Sequence, residues 1–150
     1  MIITLPSNHG NAQLSITLIS KSEYANECGF ESNVMLSSTH WDGDHWHPLR
    51  LEFNGLWIRR NDLFAVHTHL ASWVSQPLSS LATSVLIAEC QLARLPGQSL
   101  KLIFGPREDT IDERKPVVTV ELKANSFRTD FHFVTDQSCL AIFAQHLSKV

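Results

Sequence analysis

Short segments in which apolar and polar residues alternate recur along this chain, and they limit its fold more than any other feature. In QLSITLIS (13–20) and PLRLEFNG (48–55), apolar residues recur at every second position. Successive side chains of a strand point to opposite faces, so this period of two predicts half-buried β-strands. Further strands are predicted at TSVLIAE, SLKLIF, VVTVELKA and FRTDFHFV.

Tight turns are predicted between several of these strands. Asn54-Gly55 separates LRLEF from LWIRR, and this dipeptide is the strongest signal for a two-residue hairpin turn because it tolerates positive φ. Asn125-Ser126 is predicted to be a turn between the last two strands. Strands joined by such turns run antiparallel. The charged run 107–115 has no apolar face and is predicted to be an exposed loop.

Two segments change to a helical period. One follows a predicted cap at Asn61 or Asp62 and ends at Pro77, and the other follows a predicted cap at Thr135 or Asp136. Their apolar stripes are Leu63, Val66, Leu70, Trp73 and Val74, then Leu140, Phe143, Ala144 and Leu147. The chain is therefore predicted to be one α+β domain over 1–150. It would have about eight mainly antiparallel strands, in one sheet or a two-sheet sandwich, and two packed helices near 61–76 and 136–148.

Charge and cysteine usage argue against several classes of partner. Twelve lysines and arginines stand against 15 aspartates and glutamates, a net charge of −3, without a basic cluster. We therefore expect no nucleic-acid partner. No segment approaches the length of about 20 apolar residues that a membrane span requires. The three cysteines form no C-x-x-C pair, which predicts reduced thiols in a cytoplasmic protein.

The segment HWDGDHWH (40–47) is the most site-like stretch of the chain. Pro48 favours extended geometry at His47, so that His45 and His47 share one face of a strand. With Glu52 they give H-x-H-x4-E, which resembles the first metal motif of the cupins. The third histidine of the second cupin motif has no counterpart here, and Glu52 would lie on the other face of a regular strand. Metal binding is thus an alternative hypothesis, and no cofactor is predicted.

The sequence shows no clear arrangement of residues for other kinds of catalysis. His67 and His69 are one residue apart on a helix and point to nearly opposite sides, so they cannot share a metal ion. Cys139 lies in the first turn of the second helix, where the dipole could lower a thiol pKa, but its apolar neighbours favour a buried, inert role. The sequence has no G-x-S-x-G motif. We therefore predict no enzymatic activity.

From about residue 41 to residue 150 the chain resembles the WapI-type immunity proteins of bacterial wall-associated polymorphic toxins. Trp41-Asp42-Gly43 and then Trp46 precede a strand, and a helix follows the pattern D-L-x6-L from Asp62 to Leu70. Glu89 opens the next region, and paired strands run into FVTDQSCLAIFAQHL. The resemblance implies a non-enzymatic, protein-binding module that neutralises a toxin, of unknown oligomeric state.

A partner surface of this kind would combine exposed aromatic and acidic residues. Asp42, Asp44 and Trp46 are the residues predicted to bind a partner. The alternative is structural: Trp41 or Trp46 closes the end of the core, and the aspartates form an Asx-type turn.

Overall fold

The computed structural model describes residues 1–81, 83–92, 97–106, 115–124 and 127–150. They form two four-stranded antiparallel sheets, in the orders β1-β2-β3-β4 and β5-β6-β7-β8, together with three helices. This confirms the mixed α+β prediction. The elements are β1 Ile2–Pro6, β2 Ala12–Tyr24, β3 Glu27–Trp41, β4 Trp46–Arg59, α1 Arg60–Val74, α2 Leu78–Leu81, β5 Leu86–Gln91, β6 Ser99–Gly105, β7 Val117–Ala124, β8 Phe127–Val134 and α3 Gln137–Leu147.

Each sheet is a meander because consecutive strands lie beside one another. β2 and β3 are joined at Ala25 and Asn26, which both have positive φ, at 51° and 63°, as a tight hairpin turn requires. The predicted turn at Asn125-Ser126 and residues 107–114 of the predicted charged loop lie outside the described residues.

One hydrophobic cluster contains residues from both sheets and both long helices. The two helices lie side by side, since the Nδ1 of His67 is 2.9 Å from the carbonyl oxygen of Ala144. α1 also contacts the second sheet through the rings of Trp73 and Phe104, whose centroids are 6.1 Å apart. None of the described helices has the length and apolarity needed to cross a membrane.

The helix boundaries match the predicted segments closely, but only one predicted cap is present. Asp136 caps α3 as predicted, with its carboxylate accepting from the amide of Cys139 at 2.8 Å. α1 instead begins after Arg59, whose side chain makes no capping bond. Asp62 therefore does not cap α1. Its carboxylate accepts from the amide of Gln91 at 2.8 Å and so ties α1 to β5.

The predicted hairpin turn at Asn54-Gly55 is wrong, because β4 continues through it from Trp46 to Arg59. Ser32 pairs with Leu56 and Val34 pairs with Phe53, so that Asn54 and Gly55 together face the single residue Asn33. This is a β-bulge with the glycine at φ +70°. The amide of Gly55 donates to the side-chain oxygen of Asn33 at 3.2 Å.

Candidate binding surface at the end of the β3–β4 hairpin

The hairpin formed by β3 and β4 ends in a ribbon of two strands. Pairing between β2 and β3 stops at Ala12 and Ser38, whereas β3 and β4 remain paired as far as Trp41 and Trp46. Every residue from 39 to 50 is exposed. We call residues 39–50 the hairpin end.

A single carboxylate organises the turn of the hairpin end. The Oδ1 atom of Asp42 accepts from the amides of Asp44 and His45 at 2.9 and 2.8 Å. Its Oδ2 atom lies 2.5 Å from the Nε2 atom of His47. The amide of His45, the amide of Asp44 and then the His47 side chain lower the pKa of Asp42 from its usual 3.8. Gly43 supplies a φ of +106° within this turn, and the predicted Asx-type turn is therefore present at Asp42.

The tryptophans beside this turn are exposed. Trp41 and Trp46 face each other across the strands with ring centroids 5.3 Å apart and planes inclined at 52°. Their exposed fractions are 47% and 62%, whereas Trp57 and Trp73 are 2% and 5% exposed. The prediction that Trp41 or Trp46 closes the end of the core is therefore wrong. The pair contacts itself and leaves ring surface open to solvent.

Apart from Pro48 and the exposed Leu49, the rest of the hairpin end is polar, and it carries little net charge. Arg50 is its one permanent cation, and Asp42 and Asp44 are its two anions. His40 and His47 are paired directly across the two strands. Their side chains point to the opposite face of the ribbon from those of the two tryptophans. An anionic ligand thus meets few fixed positive charges here, while a planar ligand meets exposed aromatic rings.

The structure does not support the cupin-like metal site. β4 runs with regular pairing from His47 to Phe53, so Glu52 points to the face opposite that of His47. Its carboxylate pairs with the guanidinium of Arg50 at 3.1 Å. His45 lies in the turn, before β4 begins. Within the described parts of the chain, no three His, Cys, Asp or Glu side chains are placed to hold a metal ion.

The residues predicted to bind a partner lie together at the hairpin end. Asp42 is engaged in the turn, while Asp44 and Trp46 are exposed. The prediction omitted Trp41, although its position could be read from the sequence. Trp41 and Trp46 flank a turn of four residues, which makes them cross-strand neighbours.

The remaining candidates for reactive side chains are two cysteines and two histidines. Burial and the nearby carboxylates of Asp62 and Glu89 raise the pKa of Cys90 to about 12. Burial and Asp136 also raise the pKa of Cys139, which opposes the helix-dipole effect considered from the sequence; the side chain is partly and not fully buried. His67 is half-buried against α3 and His69 is exposed, so the two do not share a site.

Comparisons with known proteins neither name a family nor support an immunity function. No family model matches the chain, and no curated protein matches it. Among the solved structures that resemble it, two are matched over the whole length of this chain. The plant transcriptional regulator PBF-2 is 11% identical with a TM-score of 0.43, and 79% of that chain is covered. WHY1 from Arabidopsis thaliana is 7% identical with a TM-score of 0.45, and 82% of that chain is covered.

These findings correct two predictions. The comparisons give no support to the predicted toxin-neutralising, protein-binding module, since the structures found include a plant transcriptional regulator and WHY1. The prediction that nucleic acid is excluded as a partner is withdrawn with it. The resemblance to the WapI-type family is itself not tested by these comparisons and stays a prediction.

Proposed function

We propose that the chain binds single-stranded nucleic acid through the hairpin end. One observation carries the proposal: Trp41 and Trp46 stand side by side with their rings exposed, at the end of a ribbon that has solvent around it. Exposed aromatic rings are the platforms on which unpaired bases stack, with about 1–3 kcal/mol per base. What supports the proposal is the chemistry of this surface and not the two distant structural likenesses.

The distribution of cations favours single strands over duplex. Proteins that read duplex DNA place a helix or ribbon in the major groove and neutralise phosphates with lysine and arginine. Residues 61–74 of α1 and 137–147 of α3 contain no lysine or arginine, and Arg50 is the one such residue of the hairpin end. Stacking, which requires unpaired bases, is the interaction that this surface offers.

The predicted partner residues take distinct roles in the proposal. Trp46, with Trp41 beside it, provides the stacking surface. Asp42 fixes the turn through the amides of Asp44 and His45, so it positions the rings and does not touch the ligand. Asp44 is exposed and its negative charge disfavours a phosphate close to the turn.

A cytoplasmic location is part of the proposal. Cys28, Cys90 and Cys139 are all free thiols, and Cys28 is exposed. Exposed free thiols persist in reducing compartments.

The test is the affinity of the whole chain for labelled single-stranded and duplex oligonucleotides, measured by fluorescence anisotropy. We expect single strands to bind and matched duplex to bind more weakly. Trp46→Ala should weaken single-strand binding about tenfold, which corresponds to about 1.4 kcal/mol. Trp46→Phe should restore most of the affinity, because a phenyl ring still stacks.

Ile87→Ala is the matched control, since Ile87 is 56% exposed but lies on β5. It should bind as the unsubstituted chain does. The proposal fails if no single strand binds, or if Trp46→Ala and Ile87→Ala bind equally well.

A further inference from the structure

One exposed face of the molecule is formed by α1 and α3 together. The helices are antiparallel, with the side-chain amide of Gln137 donating to the carbonyl of Val74 at 2.6 Å and the guanidinium of Arg60 donating to the carbonyl of Val150 at 3.2 Å. We call the solvent-facing side of residues 63–75 and 137–148 the helix face.

The helix face carries no charge. Residues 63–75 and 137–148 contain no Lys, Arg, Asp or Glu, although such residues make up 18% of the chain. A helix that faces water normally presents charged residues on its outer side. Depletion of charge is instead the mark of the central part of a protein–protein interface.

Large apolar side chains and a cavity lie on the same face. Phe64 of α1 is 65% exposed and Ile142 of α3 is 50% exposed. A cavity of about 400 Å³ opens between the two helices. Its lining includes His67, Ala71, Val74, Ala141, Ala144 and Gln145. The face thus presents both a projecting ring and an apolar recess.

We infer that the helix face is the interface of a homodimer. A two-fold interface is self-complementary, so the same patch must supply both the projection and the recess. A two-fold axis that crosses α1 between His67 and Thr68 places Phe64 of one copy opposite Ala71 of the other. Ala71 lines the recess, and the two phenyl rings would fill two equivalent cavities.

The absence of charged residues from the helix face favours a second copy of the chain over nucleic acid or a charged protein. A nucleic-acid strand needs cations, and a charged protein partner needs counter-charges, but the helix face has neither. A second copy of an uncharged face meets no like charge and desolvates no unpaired charge. This interface is separate from the proposed nucleic-acid surface, because it uses α1 and α3 and not the hairpin end.

The test is the mass of the whole chain in solution without nucleic acid, measured by sedimentation equilibrium. We expect a mass of twice 16.9 kDa. Phe64→Glu and Ile142→Glu should each return it to 16.9 kDa. Both side chains are at least half exposed in the single chain, so the new carboxylates should leave the circular dichroism spectrum unchanged. The second variant keeps the test valid if the first does not fold.

Ile87→Glu is the control. Ile87 is exposed to a similar extent, but it lies on β5, on the solvent-facing side of the second sheet. It should remain a dimer. A wild-type mass of 16.9 kDa at all concentrations would overturn the inference. So would a dimer that survives Phe64→Glu and Ile142→Glu, or one that Ile87→Glu dissociates. Because no nucleic acid is present, failure here leaves the proposed binding function untouched.

Discussion

At the scale of single residues, Asp42 determines the geometry of the hairpin end. One carboxylate oxygen accepts hydrogen bonds from two backbone amides, and the other is hydrogen-bonded to the ring of His47. These hydrogen bonds favour the ionised form, which is why the pKa of Asp42 is lowered. The turn is therefore stabilised while the carboxylate is charged.

The pH dependence of the turn follows from the lowered pKa of Asp42. A group whose pKa is lower in the folded state stabilises the fold above its unfolded pKa, and the stabilisation is lost as the pH falls through the folded pKa. We expect the amide resonances of Asp44 and His45 to change with a midpoint below pH 3.8, the ordinary pKa of this carboxyl. Asp42→Asn should remove that transition. A midpoint at or above 3.8 in the wild-type chain would contradict the hydrogen bonding described.

Gly29 is a second residue whose identity the structure dictates. It lies beneath the indole of Trp57, which is 2% exposed and donates from Nε1 to the hydroxyl of Ser22 at 3.0 Å. A Cβ atom at position 29 would overlap the ring of Trp57 and lie 2.6 Å from the carbonyl oxygen of Ile58. Any side chain larger than hydrogen would displace the tryptophan.

Gly29→Ala should therefore lower the free energy of unfolding by about 1–3 kcal/mol, as overpacking does elsewhere. Urea denaturation measures the change. Cys28→Ala is the neighbouring control on β3, because Cys28 is exposed, and it should change stability by no more than about 0.5 kcal/mol. Equal effects of the two substitutions would show that Trp57 does not pack against Gly29 in solution.

At the scale of elements, the bulge in β4 shows what local sequence can and cannot predict. Alternation predicted the strands, and helical stripes predicted α1 and α3, because these periods come from backbone geometry alone. Asn54-Gly55 was interpreted as a turn because the dipeptide favours positive φ, which a turn and a bulge both use. Only the long-range pairing of Asn33 with these two residues separates the two outcomes.

A substitution of Gly55 in the bulge should destabilise the fold through backbone conformation and not through a steric clash. Gly55 has a φ of +70°, and a Cβ atom there would meet no atom within 4 Å. Gly55→Ala should thus cost about 1–2 kcal/mol, the price of a left-handed conformation for an L-residue, in urea denaturation. Asn54→Ala is the control and should cost less. If Gly55→Ala is as stable as the unsubstituted chain, the positive φ is not required.

At the scale of the whole molecule, the sequence predicted a single α+β domain and candidate partner residues in the hairpin end, but it left open whether the tryptophans there are buried or exposed. The exposure of Trp41 and Trp46 depends on how far the β3–β4 ribbon extends beyond β2, where pairing ends at Ser38. No local pattern encodes that length. The low number of cations predicted no nucleic-acid partner, but it limits only the electrostatic part of nucleic-acid binding and not the stacking part.

A weak salt dependence follows from that distribution of charge. For single strands, the slope of log K against log salt concentration is about −0.7 for each phosphate neutralised. With Arg50 as the one permanent cation of the hairpin end, the slope should be no steeper than about −1 at about pH 8, where histidine is neutral. Anisotropy titrations at several salt concentrations measure it, and a slope near about −3 would place the strand on another, more basic surface.

The most direct measurement of the central claim follows the four tryptophan indole resonances of the ¹⁵N-labelled chain during titration with a single-stranded oligonucleotide. Trp41 and Trp46 are exposed, and Trp57 and Trp73 are buried, so each side chain reports on its own surroundings. The proposed function predicts large shifts for Trp41 and Trp46 and small ones for Trp57 and Trp73. Binding that leaves the resonances of Trp41 and Trp46 unmoved would contradict it.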